Sequence, residues 1–280
     1  MCKETKIVIL GGDARFEVLY QDLKSKYDTT FFAEEKDLPL SAFKACDYLI
    51  LPLPCTLGNS TILKFSPKLD LNDIFPHLSH NCHVLAGKVP ENLKRLALQH
   101  NIDIYDYYTD EFEVLNAIPS AEGAIEIAMR ETDFTLCGSK IYVLGYGRIG
   151  KILSKMLSGI GAEVTVLARR KESLALAKAM GLKVCSLSSM ACFIKDADII
   201  FNTIPSLILN REILSDIKKD TLIIDLASSP GGVDFTNAEH LGLKTIHALG
   251  LPAKTSPKTS SEILSRCISS YIEERRTNGT

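Results

Sequence analysis

The chain has 280 residues, of which 46% are hydrophobic, and a formal net charge of −2. This length suits two α/β domains, each large enough to bury its own core. The near balance of charges argues against a broad nucleic-acid-binding surface, which needs a clustered basic excess. No apolar run approaches the roughly 18 residues of a membrane span, and the N-terminus lacks the apolar core of a signal peptide. We therefore expect a cytoplasmic protein that binds neither nucleic acid nor membrane.

The first part of the chain alternates apolar runs with helical patterns. The predicted strands are 6–10, 29–33, 48–51, 83–86 and 102–105, and the predicted helices are 15–27 and 91–99. Such alternation predicts a parallel, doubly wound sheet, so residues 1–118 are expected to form an α/β domain. Ligands of such sheets lie beyond the carboxyl ends of the strands. We expect the substrate at a rim formed by Gly11, Gly12, Asp13, Pro52, Pro54 and Gly87, although ordinary turn chemistry also explains each glycine and proline.

Cysteine and histidine spacing gives no metal site. The eight cysteines include no CxxC pair, and they are expected to be reduced. His77, His80 and His83 have a ligand-like spacing, but the first two lie in a loop sequence and no carboxylate stands nearby to complete a set. We predict that the protein holds no metal.

An amphipathic pattern over residues 117–130 predicts a linker helix between the two domains, with Ser120 as its N-cap. A helix start with a serine and free N–H groups suits a substrate carboxylate. Glu122, in the first turn of this predicted helix, can act as a base or orient a cation. The alternative is a capped linker helix that carries a surface glutamate.

The sequence GYGRIG, Gly145 to Gly150, stands between an apolar run and a helical pattern that begins at Lys151. In that context the first glycine permits a tight turn, the second lets backbone approach a pyrophosphate, and the third lets the helix pack close to the strand. The helix N-terminus offers N–H groups and a partial positive charge to the phosphates. This pattern predicts a dinucleotide site, the alternative being a glycine turn that serves packing alone.

The second strand of this unit favours NADP over NAD. An NAD-binding protein usually ends that strand with a carboxylate for the ribose 2′-hydroxyl, whereas Ala168 stands here and is followed by Arg169, Arg170 and Lys171. These cations would attract a 2′-phosphate. The alternative is a solvated basic turn.

The rest of the chain continues the α/β pattern. A helix is predicted at 173–180 and strands at 198–205, 221–226 and 244–249. We expect the 203–205 loop at the adenosine half of the cofactor and the loop after Leu226 at its nicotinamide end. Buried Asp225 is expected to hold that second loop through hydrogen bonds to its N–H groups. A final helix is predicted at 261–275, within a C-terminal segment (259–280) that can pack back on the first domain.

The expected fold class is therefore α/β, with two Rossmann-like parallel-sheet domains and a cleft between them. The first domain spans 1–118, and the linker helix with the NADP-binding domain spans 119–280.

Three longer segments resemble one family. They are residues 118–123, 225–234 and 248–259, and together they are similar to the A subunits of dipicolinate synthase. The likeness covers essentially the whole chain, beginning at residues 11–15. The resemblance implies that the protein works with a flavoprotein B subunit to oxidise dihydrodipicolinate to dipicolinate in the mother cell of a sporulating bacterium. It also implies two Rossmann-like domains.

That reaction removes a hydride and a proton, so it needs a hydride acceptor, a base and anchors for two carboxylates. The acceptor is expected to be NADP. The candidate anchors are Arg15, Ser120, Lys254, Lys258 and backbone N–H groups near Gly12 and Ala121, with Asp13 beside them. The candidate bases are Glu122, His247 and Asp13, and Ser120 is a further catalytic candidate. The cofactor-binding candidates are Gly145, Gly147, Arg148, Ile149, Gly150, Arg169, Arg170, Thr203, Ile204, Pro205, Ala227 and Ser228.

Two other functions remain open from the sequence. The chain could be a non-catalytic subunit that binds NADP or substrate while a flavin partner performs the redox step. It could also be an NADP-dependent reductase of keto or imino acids. The sequence leaves a homo-oligomer open as well.

Overall fold

The computed structural model describes residues 5–34, 38–56, 60–62, 65 and 68–278. Contacts divide the chain into a first unit, Met1–Leu115 with Ser256–Thr280, and a second unit, Asn116–Thr255. Each unit contains one sheet, and every strand pair in both sheets is parallel. The expectation of an α/β protein with two Rossmann-like parallel sheets is confirmed.

The first unit has a five-stranded sheet in the order β2-β1-β3-β4-β5. Its elements are β1 (Lys6–Leu10), α1 (Ala14–Lys26), β2 (Asp28–Phe32), α2 (Leu40–Lys44), β3 (Tyr48–Ile50), α3 (Leu71–Ile74), β4 (His83–Ala86), α4 (Glu91–Gln99) and β5 (Asp103–Asp106). Alternate residues of β1 enter opposite cores: Ile7 and Ile9 pack on the α1 side, whereas Val8 and Leu10 pack on the α2–α4 side. Burial of both faces explains the continuous apolar runs of these strands.

Helix α5 (Asp110–Glu131) starts ten residues before the predicted cap, so the prediction of Ser120 as an N-cap is wrong. Pro119 lies inside this helix, and the Ser120 hydroxyl donates to the carbonyl of Asn116, 2.9 Å away. A proline in a helix interior costs roughly 3 kcal/mol. Buried residues stand on both sides of it and offset that cost: Phe112 packs in the core of the first unit, and Ala121 and Ala124 pack in the core of the second.

The second unit has a six-stranded sheet in the order β11-β10-β9-β6-β7-β8. Its elements are β6 (Lys140–Leu144), α6 (Arg148–Ile160), β7 (Glu163–Ala168), α7 (Lys171–Ala179), β8 (Lys183–Ser186), α8 (Met190–Phe193), β9 (Ile199–Asn202), α9 (Arg211–Ser215), β10 (Leu222–Asp225), α10 (Phe235–His240), β11 (Lys244–His247) and α11 (Leu251–Thr255). This is the strand order of dinucleotide-binding domains, and the order reverses between β6 and β9.

The chain then returns to the first unit in helix α12 (Pro257–Asn278). Leu264, Ile268 and Ile272 of this helix are buried in the same core as Phe16 and Leu19 of α1. The first unit is therefore discontinuous in sequence, and its α1 face is completed by residues about 250 positions later.

Cysteine and histidine side chains form no ligand cluster in the described part of the chain. The seven described cysteines are free thiols, and Cys2 lies outside the described residues. No helix among these residues is long and apolar enough to cross a membrane.

Replacing Ile268 with alanine tests the role of α12. Ile268 is fully buried, so we expect the first unit to lose about 2–5 kcal/mol of unfolding free energy through the lost burial and the cavity left behind. Urea titration measures this loss. The matched control is Leu98→Ala, at a side chain that is 76% exposed, which should change stability by less than about 0.5 kcal/mol. Equal effects of the two substitutions would contradict the packing of α12.

Candidate functional site

The glycine turn after β6 tolerates no side chain at two of its positions. Gly145 has a φ of +97°, and a Cβ there would lie 2.3 Å from Oγ1 of Thr203. A Cβ on Gly150 would lie 2.3 Å from the carbonyl oxygen of Gly145. The Thr203 hydroxyl is fixed because it donates to the carbonyl of Leu144 at 2.9 Å. These contacts place α6 directly against the end of β6, as the sequence predicts.

Gly147 is different, because a Cβ at this position would meet no atom within 4 Å. It is the N-cap residue of α6, and no side chain caps the helix there. The helix begins at Arg148, three residues earlier than the predicted start. The first turn, which includes Ile149, therefore has room for a ligand, and a helix N-terminus with free N–H groups favours a phosphate.

The basic segment follows β7 at the same carboxyl edge. Ala168 ends this strand and is buried, and the side chains of Arg169, Arg170 and Lys171 are exposed. None of these three cations forms an ion pair or a side-chain hydrogen bond with another described residue. A negatively charged ligand group at this edge could therefore bind these cations without displacing a carboxylate of the protein.

Asp225 ends β10, is fully buried and accepts three hydrogen bonds. Its Oδ1 accepts from Nδ2 of Asn202 at 2.7 Å and from the N–H of Ala227 at 3.0 Å, and its Oδ2 accepts from the N–H of Gly232 at 2.7 Å. The structure thus confirms the expectation that Asp225 holds the loop that follows it. A buried carboxylate needs such partners, because burial without them is costly.

Asn202 ends β9 and was given no role from the sequence. Its side chain is fully buried and bonds both backbone groups of Ile204, donating to the carbonyl and accepting from the N–H, each at 3.0 Å. A polar residue at the end of a wholly apolar strand is the signal that could have identified it. Asn202 shapes the loop that carries Thr203, Ile204 and Pro205.

The loop after β10 offers a different set of groups. Ala227 is buried and its N–H is used by Asp225, whereas Ser228 is exposed at the loop tip. The loop follows a strand at the carboxyl edge, so Ser228 lies on the rim where ligands of such sheets bind.

The three catalytic candidates have different surroundings. Ser120 is nearly buried in the middle of α5, with its hydroxyl engaged as described above. His247, the last residue of β11, donates from Nε2 to the carbonyl of Ala227, 3.1 Å away. Glu122 is exposed on α5 and has no ion pair or hydrogen bond with another described residue.

The remaining anchor candidates fall into two classes. Lys254, in α11, and Lys258, in α12, are exposed. Ala121 is buried in the interior of α5, where backbone N–H groups serve the helix itself. The expectation of a free helix N-terminus at Ser120 and Ala121 is therefore wrong.

The rim of the first sheet holds an almost buried arginine. Arg15 donates from Nε and Nη2 to the two carboxylate oxygens of Asp13, each at 2.8 Å, and Nη2 also donates to the carbonyl of Leu53 at 3.0 Å. Asp13 is the N-cap residue of α1 and accepts from the N–H of Arg15. Nη1 has no partner among the described residues. Because both oxygens of Asp13 face this guanidinium, Asp13 orients a cation instead of accepting a proton.

This arginine lies where β1 and β3 are neighbours, the point at which the strand order of the first sheet reverses. Ligands of open parallel sheets bind at such a point. The backbone beside it is closely packed, because a Cβ on Gly12 would lie 2.5 Å from the ring of Phe16. Gly12, Asp13 and Gly87 follow β1 and β4 at the carboxyl edge of the first sheet, and substrate binding at this rim stays a prediction.

Tyr107 is a further residue of this rim that the sequence did not identify. Its ring is completely buried, and its hydroxyl donates to the carbonyl of Leu51 at 2.8 Å. Burial raises the pKa of this phenol well above its ordinary value. A Cβ on Gly87 would lie 2.6 Å from both Leu53 and Tyr107, so this ring fixes the turns after β3 and β4.

Two family models match consecutive parts of the chain. The model of the N-terminal domain of the dipicolinate synthase A subunit matches residues 6–108. The model of shikimate/quinate 5-dehydrogenase matches residues 126–249. The two matches fall on the first and second sheets, respectively.

One curated relative covers nearly the whole chain. The dipicolinate synthase A subunit of Bacillus subtilis (strain 168) is 33% identical over 285 residues, which is 96% of this chain and 96% of the relative. The chain belongs to the family of dipicolinate synthase A subunits.

Solved structures of this family have the same fold. The dipicolinate synthase A chain of Bacillus subtilis superposes with a TM-score of 0.86 at 32% identity, covering 99% of each chain. The A subunit from Bacillus halodurans gives a TM-score of 0.85 at 29% identity, covering 97% of this chain and 98% of that one. The resemblance seen in the sequence is confirmed. A dehydrogenase-type Rossmann unit further indicates an oxidoreductase that binds a nicotinamide nucleotide.

Two valine substitutions distinguish the cofactor turn from a turn that serves packing alone. A Cβ at Gly147 meets no protein atom within 4 Å, so Gly147→Val should leave thermal unfolding unchanged while affinity for the nicotinamide nucleotide falls by roughly tenfold or more, because the side chain occupies the phosphate approach. Gly145→Val has both the positive φ and the clash with Thr203, so it should lower the unfolding temperature itself. Calorimetry measures both quantities. Unchanged affinity for the nicotinamide nucleotide in the Gly147 variant would contradict the cofactor site.

Proposed function

We propose that the chain is the NADP-dependent subunit of a two-component enzyme that oxidises dihydrodipicolinate to dipicolinate in the cytoplasm of the mother cell during sporulation. The flavoprotein B subunit is the proposed partner. Membership of the dipicolinate synthase A family supports the substrate. The observation that carries the redox role is an open glycine turn beside Arg169, Arg170 and Lys171, three cations that have no ion-pair partner among the described residues.

The reaction converts a dihydropyridine into an aromatic pyridine. One ring carbon loses a hydride and a second loses a proton, so that the new double bond makes the ring aromatic and both carboxylates are kept. The protein must therefore bind a dianion and accept one proton. When bound, the oxidised nicotinamide supplies the hydride acceptor.

Arg15 is the proposed anchor for one substrate carboxylate. Asp13 and Leu53 take the donors of Nε and Nη2, which fixes the plane of the guanidinium. The remaining nitrogen, Nη1, can then donate to a carboxylate without first being ordered, and hydrogen bonds between charged groups are the strong ones. Lys254 and Lys258 are candidates for the second carboxylate.

Glu122 is the proposed proton acceptor. It is the candidate whose carboxylate is exposed and uncommitted to any described residue. Ser120 donates to a backbone carbonyl and both oxygens of Asp13 face Arg15, whereas His247 donates through Nε2 and keeps Nδ1 as the alternative acceptor.

The proposed NADP site spans the carboxyl edge of the second sheet. Gly145, Gly147, Arg148, Ile149 and Gly150 would bind the pyrophosphate through the turn and the first turn of α6. Arg169 and Arg170 would bind the 2′-phosphate, which an NAD-specific carboxylate at position 168 would repel. The two following loops, with Thr203, Ile204, Pro205, Ala227 and Ser228, would line the rest of the cofactor.

A second candidate function follows from the relatives being one component of a synthase. In it, the chain binds the substrate or NADP and the partner flavin accepts the hydride. Purified chain given dihydrodipicolinate and NADP separates the two. The first function predicts equal amounts of dipicolinate and NADPH from this chain alone. Turnover that appears only after the flavoprotein is added, and that reduces the flavin instead of forming NADPH, would overturn it and support the second.

Cofactor choice is tested by the double variant Arg169→Ala/Arg170→Ala. Hydrogen bonds to charged groups contribute about 1.5–3 kcal/mol each, so NADP should bind roughly tenfold to hundredfold or more weakly while NAD changes little. The control is Lys178→Ala, at an exposed lysine in the last turn of α7. Calorimetric titration with both cofactors gives the ratio. An equal loss for NADP and NAD would refute the 2′-phosphate assignment.

The carboxylate anchor is tested by Arg15→Lys, which keeps the charge but removes the planar donor arrangement. KM for dihydrodipicolinate should rise roughly tenfold or more, with unchanged NADP affinity, because the cofactor occupies the other unit. Lys44→Ala, at an exposed lysine of α2, serves as the control. Thermal unfolding of both variants identifies any loss of fold. An unchanged KM in folded Arg15→Lys protein would remove Arg15 from the substrate site.

A further inference from the structure

Three neighbouring strands of the second sheet each end in a polar residue. Asn202, Asp225 and His247 are the last residues of β9, β10 and β11, and they stand side by side because Asp225 is in register with both of the others. Asn202 and Asp225 are fully buried, and His247 is half-buried. We call these three residues the strand-end triad.

All three members of the strand-end triad act on one loop, residues 226–232. The main-chain carbonyl of Asn202 accepts from the N–H of Leu226 at 2.8 Å, and its side chain donates to Asp225. Asp225 in turn accepts from the first and last parts of the loop, at Ala227 and Gly232. His247 holds the carbonyl of Ala227 from the other side. The loop is thereby bonded at both ends.

Close packing restricts the loop to one backbone conformation around Gly231. Gly231 has a φ of +88°, and a Cβ there would lie 2.7 Å from Oδ2 of Asp225 and 3.4 Å from Nε2 of His247. The imidazole also packs on the ring of Phe235, with 5.1 Å between ring centroids. At the tip, Ser228 and Ser229 are exposed, and their N–H and hydroxyl groups have no hydrogen-bond partner among the described residues. The fixed base therefore presents unused donors at the rim.

The bond to Ala227 also determines that Nε2 of His247 carries a proton. A carbonyl oxygen can only accept, so Nε2 carries a proton in every state that keeps this bond. Nε2 is therefore already occupied and is not the atom that removes a proton from a substrate. The bond excludes Nε2 from the role of general base that the sequence allowed, and it leaves that role to Nδ1 alone.

We propose that the strand-end triad consists of positioning residues, with His247 holding the 226–232 loop through Nε2 so that the donors of Ser228 and Ser229 meet the bound ligand in one arrangement. This inference rests on the proposed function. In this proposal His247 acts as a hydrogen-bond donor. A glutamine can do the same, because its amide nitrogen can occupy the place of Nε2.

The test compares His247→Gln with His247→Phe, using His240→Gln as a control at an exposed histidine that ends α10. Kinetics with dihydrodipicolinate and NADP should show kcat of His247→Gln within about threefold of the unsubstituted protein and an unchanged pH profile. His247→Phe keeps an aromatic ring but donates nothing, so its kcat should fall roughly tenfold. A loss of about a hundredfold or more in His247→Gln, with loss of one limb of the pH profile, would make His247 the base and overturn the proposal.

Hydrogen exchange of the loop amides provides a readout that needs no turnover. The N–H groups of Ala227 and Gly232 should exchange at least tenfold faster in His247→Phe than in His247→Gln, as measured by mass spectrometry of peptides that span 226–232. Equal exchange in the two variants would overturn the positioning role. If the unsubstituted protein shows no turnover, the proposed function fails, and this comparison still decides whether His247 holds the loop. Asn202→Ala, which removes a donor to Asp225, gives a second variant for the same two measurements.

Discussion

The parallel register of the two sheets is the constraint on which both candidate sites depend. Because neighbouring strands run in the same direction, their carboxyl ends meet at one edge, and residues distant in sequence become neighbours there. Asn202, Asp225 and His247 are brought side by side in this way. So are the turns that follow β1, β3 and β4 in the first unit. The apolar strands carry no chemistry themselves, but they determine where every polar strand end lies.

The two rims fix their polar groups by opposite means. In the second unit a buried carboxylate, Asp225, is surrounded by N–H donors and serves as a support for a loop. In the first unit a nearly buried cation, Arg15, is fixed by a carboxylate, and its Nη1 has no partner among the described residues. In each case the cost of burial is offset by hydrogen bonds to the charged form. These groups are therefore already oriented, and preorganisation of this kind lowers the cost of ordering such groups on binding a ligand.

Much of the fold could be predicted because its signals are local. Five or six consecutive residues suffice to predict an apolar strand such as Lys140–Leu144 or the glycine turn of the cofactor site. The prediction failed where long-range packing decided the outcome. Ser120 was expected to cap a helix, yet α5 begins at Asp110 and runs through Pro119, with buried residues on both sides of it. Strand β8 was missed because its half-buried residues lack a strong apolar run. The site residues Asn202 and Tyr107 were missed because their partners lie on other strands.

The fate of the substrate hydrogen tests the central claim most directly. Dihydrodipicolinate that carries deuterium on the ring carbons that lose hydrogen can be given to the purified chain with NADP, and the nicotinamide product analysed by mass spectrometry. The account predicts one deuterium in NADPH for each dipicolinate formed, with the other released to water as a proton equivalent. Dipicolinate formed without label in NADPH, or formed only when the flavoprotein receives the hydride, would contradict it.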